Sequence, residues 1–97
     1  MGEGFRQNMY VKVKNLHNTS NRTPNGYASW KDFWVAKSGQ SWPKFCSCPS
    51  CLQEAEVGAH VIQVFGSNKW YIAPLCKYHN NIDEEFYVND IYLVPLY

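Results

Sequence analysis

The 97-residue chain predicts a small α+β domain closed around a set of metal-ligand residues. Three observations carry that expectation. Val11-Lys12-Val13-Lys14 alternates apolar and charged residues, the period-2 signature of a half-buried strand. Tyr27, Trp30, Phe33 and Trp34 fall at i, i+3, i+6 and i+7, one face of a helix. Three of the four cysteines lie within CSCPSC, residues 46 to 51, and the fourth, Cys76, stands three residues before His79.

Length and composition set the limits. A chain of 97 residues makes one domain, with a modest core that is often helped by a staple such as a metal. Aromatic residues reach 16%, too many for a disordered chain. No run of eighteen apolar residues is present, which excludes a membrane-spanning helix. The N-terminal MGEGFRQNMY lacks the apolar core of a signal peptide, and residue 6 is Arg where a myristoylation signal has Ser or Thr. A cytoplasmic location is therefore expected. The net charge of +1 hides an asymmetry: residues 1–46 carry +5 and residues 47–97 carry −4. A basic first half can meet a phosphate backbone, though no Lys/Arg-rich run is present and an ordinary solvated surface gives the same count.

The elements follow in order. Residues 9–16 read as a strand. Residues 17–26, HNTSNRTPNG, are polar and rich in turn formers, and within them Asn18-Thr19-Ser20 matches a glycosylation acceptor by chance. Ser29 with Asp32 resembles a capping box at the start of the aromatic helix, and Gly39 suits its left-handed stop. That aromatic stripe reads as a core face rather than a base-stacking surface, because stacking platforms sit on exposed sheets and grooves. Residues 40–44 lead into the cysteines. Residues 56–65 and 70–75 read as a hairpin about a Gly66–Lys69 turn, the second strand ending near Pro74. Residues 76–81, CKYHNN, read as a short helix. The acidic 83–85 follows, then a β-prone C-terminal segment within residues 82–97. The chain thus divides into an N-terminal strand and helix over 1–45, a metal-binding core over 46–81 and a C-terminal strand.

The cysteines admit a disulfide, a scatter of free thiols or a metal. Disulfides belong to oxidising compartments, and CSCPSC offers poor geometry for bridges. Free core thiols have no reason to cluster. Zinc takes four N or S ligands in a tetrahedron. Cys48-x2-Cys51 forms a tight knuckle, and Cys76-x2-His79 repeats the spacing at a helix start, where residues three apart share a face. The expected ligands are Cys48, Cys51, Cys76 and His79, with Cys46 as the alternative to Cys48 through a longer Cys46-x4-Cys51 loop. Four protein ligands leave no open position, which marks a structural Zn²⁺ site.

Knuckle, hairpin and a helix that carries the second ligand pair is the order of the treble-clef (ββα) zinc fold. The order CPSC, GAHV, YIAPLCKYHNN over residues 46–81 resembles the HNH endonuclease family. The resemblance implies a small zinc-stabilised treble-clef domain with an additional N-terminal strand and helix. It also implies that His60 is the general base that activates water and that Asn80 is a ligand to a catalytic Mg²⁺. The chain departs from the family pattern at Ala59, where an acidic ligand often stands, at Tyr71, near the place of the motif's middle Asn, and in its short, regular hairpin. His60 also suits a hydrogen-bonded buried side chain or a spare zinc ligand. His17 has no partner legible in the sequence.

Two function classes follow. One is a small zinc-binding module without catalysis, binding DNA, RNA or another protein. The other is a divalent-metal-dependent HNH-type DNA endonuclease that uses His60. The missing acid at position 59 favours the first.

Overall fold

The computed structural model describes residues 9–17, 24–66 and 69–96. The Asn18-Thr19-Ser20 match and the Ser67-Asn68 part of the hairpin turn lie outside them. Strand β1 spans Tyr10–Asn15, helix α1 Trp30–Ser38, strands β2 and β3 Val57–Gln63 and Trp70–Leu75, and helix α2 Lys77–Asn81. Strand β4 spans Phe86–Asn89, a 3-10 turn Asp90–Tyr92, and β5 Val94–Pro95. The strands form one antiparallel sheet in the order β4-β1-β2-β3-β5.

Strand β1 is an inner strand, paired with β2 through Val13 and Gln63 and with β4 through Val13 and Phe86. The N-terminal segment is thus integral to the sheet that carries the metal-binding residues. The C-terminal segment, expected as one strand, is two strands on opposite edges. β4 covers the outer edge of β1, and β5 pairs with β3 at Ile72 and Val94. Asn89 accepts from the Ile91 N–H to turn the chain. The carbonyls of Ile91 and Tyr92 then accept from Gln40 Nε2 and Trp34 Nε1 at 3.0 and 2.9 Å, which ties the crossing to α1 and to the segment just after its Gly39 cap. Such pairings depend on contacts between residues from 22 to more than seventy positions apart, which local patterning does not encode.

Alternation along the strands separates two cores. On one face Val13, Ala59, Val61, Ala73, Leu75, Phe86 and Val88 pack with Cys46, Cys48 and Cys76. On the other, Ile72 and Val94 pack with Phe33 and Trp34 of α1, joined by Tyr27, Trp30 and Trp42. The aromatic stripe is therefore core, but only Trp30, Phe33 and Trp34 belong to the helix; Tyr27 lies before the Ser29 cap and packs on them from outside it. Ser29 caps α1 by accepting from the Asp32 N–H at 3.1 Å, and Gly39 ends it at φ 70° with its N–H on the Val35 carbonyl. Helix and sheet approach closely at Gly58. A Cβ there would lie 3.0 Å from Trp30 Cβ and 3.2 Å from the Lys31 nitrogen. The glycine lets the first turn of α1 sit directly on β2.

Candidate metal centre

The residues that meet on the α2 side of the sheet come from three segments. Residues 44–55 form a small hairpin-like loop: Cys46 N–H donates to the Gln53 carbonyl, Ala55 N–H to the Lys44 carbonyl, both at 2.9 Å, and Phe45 bridges Glu54. At its tip Cys51 N–H donates to the Cys48 carbonyl, and Ser50 adopts φ 63°. Pro49 followed by a left-handed residue is the pattern of a type II turn. Ser47 anchors the loop to the sheet, its hydroxyl donating to the Pro74 carbonyl at 2.7 Å and its N–H to the same oxygen at 3.0 Å. β3 then delivers Cys76, the N-cap of α2, and one turn later the helix presents His79.

Cys46, Cys51, Cys76 and His79 converge, with their ligand atoms all within 4.8 Å of one another. The Nδ1 of His79 lies 3.6 Å from Cys46 Sγ, 3.7 Å from Cys51 Sγ and 3.2 Å from Cys76 Sγ, and Cys51 and Cys76 Sγ are 3.9 Å apart. Zn–S bonds of about 2.3 Å and Zn–N bonds of about 2.0–2.1 Å at tetrahedral angles require edges of roughly 3.8 Å for S···S and 3.6 Å for S···N. These four separations match those edges to within a few tenths of an ångström. The four side chains are close enough to hold one metal ion, and a thiolate-rich donor set of this kind suits zinc.

The cysteine that joins Cys51 is Cys46, not Cys48. The short Cys48-x2-Cys51 spacing favours Cys48 in the sequence, but the tight turn uses that spacing to close its backbone. Cys46 and Cys51 then face the centre from the two arms of the loop. Cys48 instead hydrogen-bonds Cys46. That bond is the main reason the Cys46 thiol is lowered to about 4. The same bond, then burial, pushes the Cys48 thiol far up. Burial raises Cys51 to about 11.

Sequence reasoning missed two supporting residues. Asn15 donates from Nδ2 to the carbonyls of His79 and Ile82 at 2.6 and 2.9 Å, pinning the end of α2 to β1. Its signal was a polar residue at an inward position, in step with Val11 and Val13. Ser47, at 3% exposure, carried no sequence signal beyond its place between two cysteines.

The other candidates lie apart. His60 is buried and faces α1, its ring edge-on to Trp30 with centroids 4.6 Å apart. Ala59, its neighbour in β2, points to the opposite face and is 2% exposed. Asn80 lies in α2, half-buried on the metal side. The sheet therefore separates His60 from Asn80. His17 pairs through Nε2 with Asp83 Oδ1 at 3.0 Å, both residues largely exposed. Comparison with protein-family models, with curated proteins and with solved structures finds no match for this chain.

Proposed function

We propose that this protein is a small zinc-binding module of treble-clef type that acts by binding a partner, nucleic acid foremost, and not by catalysis. The observation that carries the reading is the cluster of Cys46, Cys51, Cys76 and His79, whose ligand atoms lie within 4.8 Å of one another and are enough to fill all four positions of a zinc ion. Such a site stabilises a fold and leaves no place for an activated water. The order of loop, β2–β3 hairpin and α2 supports the treble-clef reading, with β1, α1 and β4 as additions to it. The HNH-type alternative needs His60 and Asn80 at one metal-bound phosphate, and their placement on opposite sides of the sheet weighs against it.

Two measurements test the proposal. Elemental analysis of protein purified without added metal should give about one zinc per chain, lost with a strong chelator together with the native fold. Supercoiled plasmid with millimolar Mg²⁺ or Mn²⁺ should remain uncut. A metal-free protein that keeps its fold sinks the zinc reading, and nicking by the wild type that disappears in His60→Ala sinks the non-catalytic one.

A further inference from the structure

Helix α1 covers only part of its face of the sheet: it packs on β2, β3 and β5. Beyond it, β1 and β4 present Tyr10, Lys12, Lys14 and Tyr87 to solvent or near it. Lys12 and Tyr87 are directly paired across the strands, and Tyr10 sits one same-face step along β1. Phe65, just past the end of β2, closes the far side. Tyr10 is 53% exposed, Phe65 69% and Tyr87 49%. The Lys12 ammonium lies between two rings, 5.6 Å from the centroid of Phe65 and 5.4 Å from that of Tyr87. Clefts of about 240 Å³ and 340 Å³ flank the Tyr10–Tyr87 pair.

We infer that this open sheet surface is a stacking platform for a single-stranded polynucleotide, an inference that rests on the binding-module reading and names its surface. Three exposed aromatic rings with lysines set among them combine the two contacts such a strand needs. Ring faces take bases of any sequence, and ammonium groups take phosphates. A purely apolar partner would leave Lys12 and Lys14 desolvated without a counter-charge. Among the described residues the counter-charge is weak: Glu85 reaches Lys12 at 3.8 Å, with both side chains partly exposed. A phosphate competes for Lys12 on equal terms, so Glu85 acts as an internal competitor. Neither contact reads the sugar, and oligo-dT and oligo-U of equal length should bind alike.

The test is fluorescence-polarisation titration of zinc-loaded full-length protein with labelled dT₁₀ and U₁₀ at low salt. Tyr87→Ala should weaken binding about tenfold while Tyr87→Phe, which keeps the ring, stays near wild type. Lys12→Gln should lessen the slope of log K against log salt by about 0.7. Glu85→Gln should tighten binding, a gain that no purely structural role of the pair predicts. Zinc content and melting temperature are measured on each variant, so that a folding defect is separated from a lost contact. Four outcomes overturn the platform: no binding to either oligonucleotide by protein with intact zinc, Tyr87→Ala equal to wild type, Glu85→Gln weaker than wild type, or self-association through this face that Tyr87→Ala abolishes. None of these touches the zinc site, whose own failure appears as absent metal.

Discussion

Cys46 Sγ and His79 Nδ1 lie 3.6 Å apart across 33 residues of chain. That contact, more than the local Cys-x2-Cys knuckle, defines the ligand set. Cys46→Ser, Cys51→Ser, Cys76→Ser and His79→Ala are each expected to lose bound metal. Cys48→Ser keeps a hydroxyl that can donate to Cys46 and should retain it. Cys48→Ala removes the donor and should weaken affinity about tenfold, the lower end of what outer hydrogen bonds contribute at metal sites. Metal content of the six single variants and a chelator competition decide the matter. Retention by Cys46→Ser with loss by Cys48→Ser reverses the assignment.

Metal removal should unfold the metal side of the sheet. Binding at structural zinc sites of this kind is worth about 10–16 kcal/mol at neutral pH, against a total stability of about 5–15 kcal/mol for a typical domain. Without the ion, Cys46, Cys51, Cys76 and the loop of residues 44–55 lose their common anchor. Chelated protein should lose the near-ultraviolet dichroism of its aromatic residues and its cooperative melting. An unchanged melting curve after the metal is stripped shows that the two apolar cores suffice alone.

Metal uptake should depend on pH in a definite direction. In the metal-free centre Cys51 is raised to about 11, so at pH 7 it carries its proton, whereas Cys46, lowered to about 4, is already a thiolate. The ion binds thiolate only, so uptake displaces the Cys51 proton. Raising the pH lowers that cost, and lowering it adds to it. Affinity should therefore rise about tenfold per pH unit for each proton released between pH 6 and 8. Calorimetry in buffers of different ionisation enthalpy counts the protons, and a count of zero contradicts the protonated Cys51.

How much of this was legible in the sequence divides along local and non-local lines. The capped helix was readable because Ser29, Asp32 and Gly39 act within a few residues of α1. The hairpin was readable because β2 and β3 are patterned and adjacent. The choice between Cys46 and Cys48 was not, because it turns on which sulfur the Cys48–Cys51 turn leaves facing His79. Nor was the splitting of the C-terminal segment, since Phe86 and Val94 are equally β-prone and only the open edges of β1 and β3 assign them. The role of Asn15 required knowing that β1 runs beneath α2.

Gly58 should resist substitution. An added methyl meets Trp30 Cβ at 3.0 Å and the Trp30 carbonyl carbon at 3.1 Å, and neither can yield without lifting the helix start off β2. Gly58→Ala is expected to cost about 1–3 kcal/mol, the range for overpacking a tight site. Urea denaturation gives the value directly. A neutral result means that α1 slides freely on the sheet, and the close approach then sets nothing.

The last prediction concerns the residue beside His60. Under the HNH-type alternative an acidic metal ligand would be expected where this chain has Ala59, so introducing one is an obvious route to activity. The fold argues otherwise. Ala59 pairs with Ala73 across the hairpin and is 2% exposed within the metal-side core, while His60 faces Trp30 on the other side of the same strand. A carboxylate at 59 would enter the metal-side core, where the four Cys and His ligands already complete the centre, and could not reach an ion held near His60. Burying an unpaired acid costs several kcal/mol or forces it to stay protonated. Ala59→Asp is therefore expected to fall by about 3 kcal/mol or more in denaturant stability and to leave supercoiled plasmid intact at millimolar Mg²⁺. Nicking that appears in Ala59→Asp and vanishes in the Ala59→Asp, His60→Ala double variant would mean that both side chains reach one metal, and the two-faced sheet would have to be abandoned.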